Sequence, residues 1–199
     1  MIYVVNGAPR SGKDTFCSMI AKFMGEGYVR VYSTVDYVKT IAATAFGWNG
    51  EKTPRARKFL SDLKDLLTEW NDIPFKDIQK KVYETTEDWD YYGIDSKRCA
   101  IFIMCREPEE IKKIVERLDA RTILVRRNSA ECEEVSNHAD AKILDYKYDI
   151  EIENNGSLKD LAFEALKFVE DEDLMFRHWV TFHVKDSGEV IEVEKELKF

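Results

Sequence analysis

The sequence predicts an α/β fold with a mostly parallel sheet of five strands, and three observations predict it. Short apolar runs of strand length alternate with stretches of helical period along the first 170 residues. The runs at 2–5 and 99–105 show no polar alternation, as strands covered on both faces do. A glycine-bounded loop joins the first run to the first helical stretch, the opening of a β-loop-α unit.

Each element has a local reason. Residues 2–5 (IYVV) form the first strand, and 13–24 is a helix with Phe16, Cys17, Ile20 and Phe23 on one side. Gly25 and Gly27 stop it. A second strand follows at 28–32 and an amphipathic helix at 35–46. A turn at 48–52 leads to Pro54, which suits the first turn of a helix. That helix spaces Phe59, Leu60, Leu63, Leu66, Leu67 and Trp70 by helical period until residues 71–74 (NDIP) break it; another helix covers 75–89. Both are crowded with charge, so the insertion at 48–93 reads as a flap rather than core. Strand three is 99–105, a helix spans 107–118, strand four is 122–125 and strand five 148–152. A turn at 154–157 ends in Ser157, a helix cap, before a helix at 158–169. After an acidic stretch at 170–173, alternating runs at 178–184 and 189–193 flank Asp186-Ser187-Gly188 as a β-hairpin. The expected organisation is a body over 1–170 and a hairpin extension over 171–199, without internal repeats.

Composition narrows the function classes. Hydrophobic residues at 44% suffice for a core, which excludes wholesale disorder. The 30 basic and 38 acidic residues leave a net charge of −8, unsuited to non-specific grip on DNA or an anionic membrane. No apolar run reaches the roughly 18 residues of a transmembrane helix, and the N-terminus lacks the character of a signal peptide. Cys17, Cys99, Cys105 and Cys132 show no CxxC pair or zinc spacing and read as free thiols in a reducing compartment. The expectation is a cytoplasmic chain acting on small molecules, with neither a nucleic acid polymer nor a membrane as partner.

The strongest chemical signal is Gly7-Ala8-Pro9-Arg10-Ser11-Gly12-Lys13-Asp14-Thr15, a GxxxxGK between an apolar strand and a helix. Gly7 and Gly12 permit backbone conformations that turn successive amide N–H groups onto phosphate oxygens. The helix starting at Lys13 adds the positive end of its dipole, and Lys13 itself a mobile cation for β- and γ-phosphates. Such a loop implies ATP with Mg²⁺. Asp14 stands where a Ser or Thr usually meets the magnesium; it reads as a metal ligand or as a plain first-turn acid. Thr15 lies one residue too late for the usual role.

The segment Arg10-Ser11-Gly12-Lys13-Asp14-Thr15 resembles the loop of the phage-type deoxynucleoside monophosphate kinases and their relatives among adenylate kinase-like P-loop proteins. Weaker matches follow in order: 46–52 (FGWNGEK), Arg106 after strand three, His138-Ala139-Asp140, and Tyr148-Asp149 through Asn155-Gly156-Ser157-Leu158. The likeness covers residues 1–170. It implies a P-loop NTPase three-layer sandwich with a helical acceptor flap, and ATP-dependent phosphoryl transfer to a nucleoside or deoxynucleoside monophosphate. One departure matters. The family tends to place an Asp near the end of strand three, and residues 101–105 are IFIMC. That acid normally helps hold magnesium, although the ion keeps several waters and rests largely on phosphates in some kinases.

Phosphoryl transfer asks for charge neutralisation and alignment more than covalent chemistry. Arg10 lies in the loop, while Arg106, Arg126 and Arg127 follow strands three and four at the edge where parallel sheets present ligands. Arg106 precedes the helix start at Glu107-Pro108, which favours an anion site. The resemblance makes Arg126-Arg127 the start of a lid; a solvated surface pair is the alternative. It also places acceptor contacts at 33–39, where Asp36 orients an acceptor group or caps its helix and Lys39 meets the acceptor phosphate. Trp48, near Arg55 and Arg57, stacks on a base or packs in the core. His138 receives no role. Two other functions stay open: a catalytically weak nucleotide-binding or regulatory protein, and a kinase of another phosphorylated metabolite such as dephospho-coenzyme A or phosphomevalonate.

Overall fold

The computed structural model describes residues 1–128, 143, 146–174 and 180–194, with the backbone alone at 180, 181 and 191–194. Five strands form one sheet: β1 (Ile2–Asn6), β2 (Val29–Ser33), β3 (Ala100–Met104), β4 (Arg121–Arg126) and β5 (Ile150–Glu153). Their order is β2-β3-β1-β4-β5, and every neighbouring pair is parallel. β1 therefore lies between β3 and β4, at the centre of the sheet.

Helices cover both faces: α1 (Lys13–Met24), α2 (Asp36–Phe46), α3 (Pro54–Asn71), α4 (Ile73–Tyr91), α5 (Pro108–Leu118) and α6 (Leu158–Asp171). Strand alternation sorts the side chains between them. Tyr3, Val5, Phe102, Ile123 and Val125 pack with Phe16 and Ile20 of α1 and Leu161 and Phe168 of α6. Val4, Ile101, Ile103 and Leu124 face the other way, onto Ile78 and Val82 of α4 and Ile111 and Ile114 of α5. Two covered faces explain the unbroken apolar runs of β1 and β3. The expected α/β three-layer sandwich is the observed one.

The insertion differs from expectation in one helix. α2 and α3 share a small separate cluster of Val38, Ala42 and Leu63. α4 belongs to the core instead, with Ile78, Val82, Thr85 and Trp89 buried. Trp89 Nε1 donates to Gly27 O at 2.9 Å, and Tyr32 Oη meets Thr85 Oγ1 at 2.6 Å. The four buried positions share one helical face while the charge occupies the other, so charge density is a poor guide to this helix. Boundaries also shift. β5 starts at Ile150 rather than 148: Tyr148 is buried against Asn6 Nδ2, and the exposed Asp149 accepts from Thr122 N and Oγ1.

The C-terminal hairpin is present as β6 (Val180–Val184) and β7 (Val190–Glu194), antiparallel, with Val184 opposite Val190. It rests on the body: the Phe182 ring meets Phe23 edge-on at 5.2 Å, and Gly188 lies so close to Leu158 that a Cβ would collide with it. Cys17, Cys99 and Cys105 are free and buried; Cys132 lies outside the described residues. Among the described residues no helix is long and apolar enough to cross a membrane.

Candidate phosphate-binding site

The glycine-rich loop leaves β1 at Asn6, which is fully buried and fully engaged. Its Oδ1 accepts from Gly7 N at 2.8 Å, and its Nδ2 donates to Tyr148 Oη at 2.7 Å and to Arg106 O at 3.3 Å. Burial pushes the Tyr148 phenol up to about 12, so it stays protonated and donates onward to Ile143 O at 2.9 Å. One amide thus ties the loop's entry to the end of β3 and to the approach to β5.

Within the loop, Ser11 N donates to Ala8 O at 3.1 Å, closing a turn, and Arg10 at its tip adopts φ 63°. A non-glycine residue in that region is held by its surroundings rather than by preference. At Gly7 a Cβ would lie 2.5 Å from both Ser11 Oγ and Val125 O, so the loop presses against β4. Gly12, at φ 94°, caps α1 without any side-chain hydrogen bond to the helix. It packs on Asn154, whose Nδ2 a Cβ would overlap. That Nδ2 donates to Ser11 O at 2.8 Å.

The groups inside the loop suit a polyanion. The Ser11 side chain is fully buried, and its Oγ has no hydrogen-bond partner among the described residues. A buried hydroxyl without a partner is unfavourable by about 1–3 kcal/mol, a deficit that a phosphate oxygen in the loop relieves. Lys13 is 8% exposed, with Nζ 3.4 Å from Ala8 O, which places its ammonium over the loop. The N-terminal end of α1, uncapped by any side chain, adds its dipole. Pro9 is half-buried and Thr15 likewise, while Arg10 and Asp14 are exposed at the rim.

Among the described residues no three His, Cys, Asp or Glu side chains gather to hold an ion. At the end of β3, Cys105 is buried, and burial and then Glu110 push its thiol up. Glu110, within 3.3 Å of Cys105 Sγ, is already paired with Lys64 Nζ at 2.6 Å. Asp14, exposed in the first turn of α1, is the acid on the loop's own helix.

The remaining predicted residues are placed as follows. Arg106 is half-buried just past β3, beside the entry of the loop. Arg126 ends β4 and pairs with Glu151 at 3.4 Å, both side chains partly exposed; Arg127 is exposed next to it. Asp36 accepts from Ser33 N at 2.9 Å and meets Lys39 Nζ at 3.6 Å, so the two expected acceptor residues are paired with each other. Trp48 packs on the α2–α3 cluster, and its Nε1 donates to Glu51 O at 3.1 Å. His138, with the segment around it, lies outside the described residues. Sequence reasoning missed Asn6 and Asn154 as the props of the loop. Asn6 directly follows the apolar run 2–5, and Asn154 opens the turn expected at 154–157; neither pattern points to a partner in the loop.

No protein-family model matches the chain, and no curated protein matches its sequence. Among solved structures the chain is similar to shikimate kinase from Aquifex aeolicus, at 14% identity and a TM-score of 0.44, over 87% of this chain and 98% of that one. It is also similar to a sugar kinase from Janibacter sp., at 15% identity and a TM-score of 0.39, over 85% and 94%. Likenesses at these scores carry no weight; the fold assignment rests on the strand order and the loop.

Proposed function

We propose that the protein is an ATP-dependent phosphotransferase whose acceptor is a nucleoside or deoxynucleoside monophosphate. The observation that carries this reading is the Ser11 hydroxyl, buried without a partner inside a GxxxxGK loop between the central strand and an uncapped helix. The reaction moves the γ-phosphoryl of ATP to a phosphate oxygen of the acceptor, leaving ADP. The loop amides, Lys13 and Arg10 hold the β- and γ-phosphates; Arg106 approaches from the end of β3. Arg126 leaves its partly exposed pairing with Glu151 at little cost and, with Arg127, neutralises the transferring group. Asp36 and Lys39 face the acceptor, and Trp48 shapes that side through α2 and α3. In this reading the phosphotransfer unit spans 1–170, the acceptor side lies in 48–93, the hairpin of 171–199 is an extension, and the enzyme works in the cytoplasm.

One observation favours a second reading. Met104 and Cys105 occupy the end of β3, and the nearby Glu110 is spent on Lys64. A protein that binds ATP without turnover fits that deficit. Incubation with ATP-Mg²⁺ and a panel of nucleoside and deoxynucleoside monophosphates, with ADP as the readout, separates the two. ADP release that depends on one acceptor and is lost in Lys13→Ala supports the kinase. ATP binding with no ADP for any acceptor supports the second reading, and turnover unaffected by Lys13→Ala overturns the loop assignment.

A further inference from the structure

We infer that Asn154 is a positioning residue for polyphosphate binding, acting through the Ser11–Gly12 peptide; the inference rests on the phosphate reading of the loop. Asn154 directly follows β5 and is 5% exposed. It is fixed from both sides. Its own N–H donates to Arg126 O at 2.7 Å, and the next residue's Oδ1 accepts from Asn128 N at 2.7 Å. Its side-chain Nδ2 donates to Ser11 O at 2.8 Å in a buried contact across 143 residues of sequence.

The consequence follows from the geometry of the trans peptide, in which C=O and N–H point to opposite sides. The described backbone has no cis peptide. Drawing Ser11 O outward to Asn154 therefore aims Gly12 N–H the other way, into the concave side of the loop. Nothing within the loop enforces that choice. Gly12, at φ 94°, has the freedom of glycine, so the peptide before it can rotate. Rotated, it would present a carbonyl oxygen to the phosphate where an N–H belongs. The contact also explains why position 12 lacks a Cβ: the Asn154 amide occupies that space.

Titration of ATP and of inorganic tripolyphosphate into the wild type, Asn154→Ala and Lys13→Ala, well below the melting temperature of each, tests this. Asn154→Ala is expected to weaken both ligands by the same factor, about tenfold, the scale of one buried hydrogen bond left unmade. The Gly12 amide resonance is expected to move on tripolyphosphate addition in the wild type and not in the variant. Should Asn154→Ala fail to fold, Asn154→Ser, too short to reach Ser11 O, carries the same comparison. Unchanged affinities overturn the inference. Loss of ATP alone, with tripolyphosphate binding intact, overturns it too, because Asn154 then serves the nucleoside end. A wild type that binds neither ligand overturns the phosphate reading, and the inference with it.

Discussion

The phosphate loop and helix α3 both border the carboxyl edge of the sheet, yet different physics holds each. The loop is braced by neutral, buried hydrogen bonds from Asn6, Tyr148 and Asn154. α3 is tied to α5 by charge: Lys64 meets Glu110 at 2.6 Å, and Asp72 at its end meets Lys113 at 2.8 Å. Lys113 also lies 5.7 Å from the centroid of the Phe75 ring. Buried neutral networks are directional and out of reach of salt; of the two ion pairs, Lys64–Glu110 is largely buried, while Asp72–Lys113 is partly exposed, screened and weak. The molecule braces its cradle with neutral hydrogen bonds and ties the neighbouring helix with charge.

The largest way to break the comparison is Gly12→Ala. It puts a Cβ in the left-handed region and onto Asn154, so we expect a loss of about 3 kcal/mol in chemical denaturation. A variant as stable as the wild type would mean the cradle is not tightly packed. Next, Lys64→Met strands the Glu110 carboxylate, only 17% exposed, and should lower stability by about 2 kcal/mol. The double variant with Glu110→Leu should recover most of it. Asp72→Asn, at a more exposed pair, should lose only about 0.5 kcal/mol, and that loss should vanish near 1 M salt. Salt that leaves this pair's contribution untouched would contradict the electrostatic account of α3.

The smallest effect concerns pH and lies outside both regions, at the start of α6. Hydrogen bonds from Ser157 hold the Asp160 carboxyl below its ordinary value of 3.8. The folded value is the depressed one, so this capping box stabilises above the ordinary value and is lost as pH falls through the folded one. Melting curves of Asp160→Asn should converge on those of the wild type in acid and lie below them at neutral pH.

What was legible in the sequence follows the range of the interactions. The loop, its strand and its helix are contiguous, so Gly7 to Lys13 announced themselves through spacing. Strand alternation was readable for the same reason, since burial on both faces leaves β1 and β3 apolar throughout. α4 looked like flap because its charged face outnumbers its apolar one, although Ile78, Val82, Thr85 and Trp89 recur at helical spacing. The partners that make Asn6 and Asn154 props of the loop were not legible. Asn6 finds Tyr148 across 142 positions, and Asn154 finds Ser11 across 143. Such partners are set by strand order, which no local pattern encodes. Asp36 and Lys39 lie in between: their pairing is an i,i+3 contact within α2, readable in principle from their spacing.

The most direct test of the account is calorimetric titration of ATP into the wild type and Lys13→Ala. The predicted result is saturable binding to the wild type, weakened by at least about 100-fold in the variant, the scale of removing one partner from a buried charge pair. Equal affinity for both proteins, or no binding to the wild type, would contradict it.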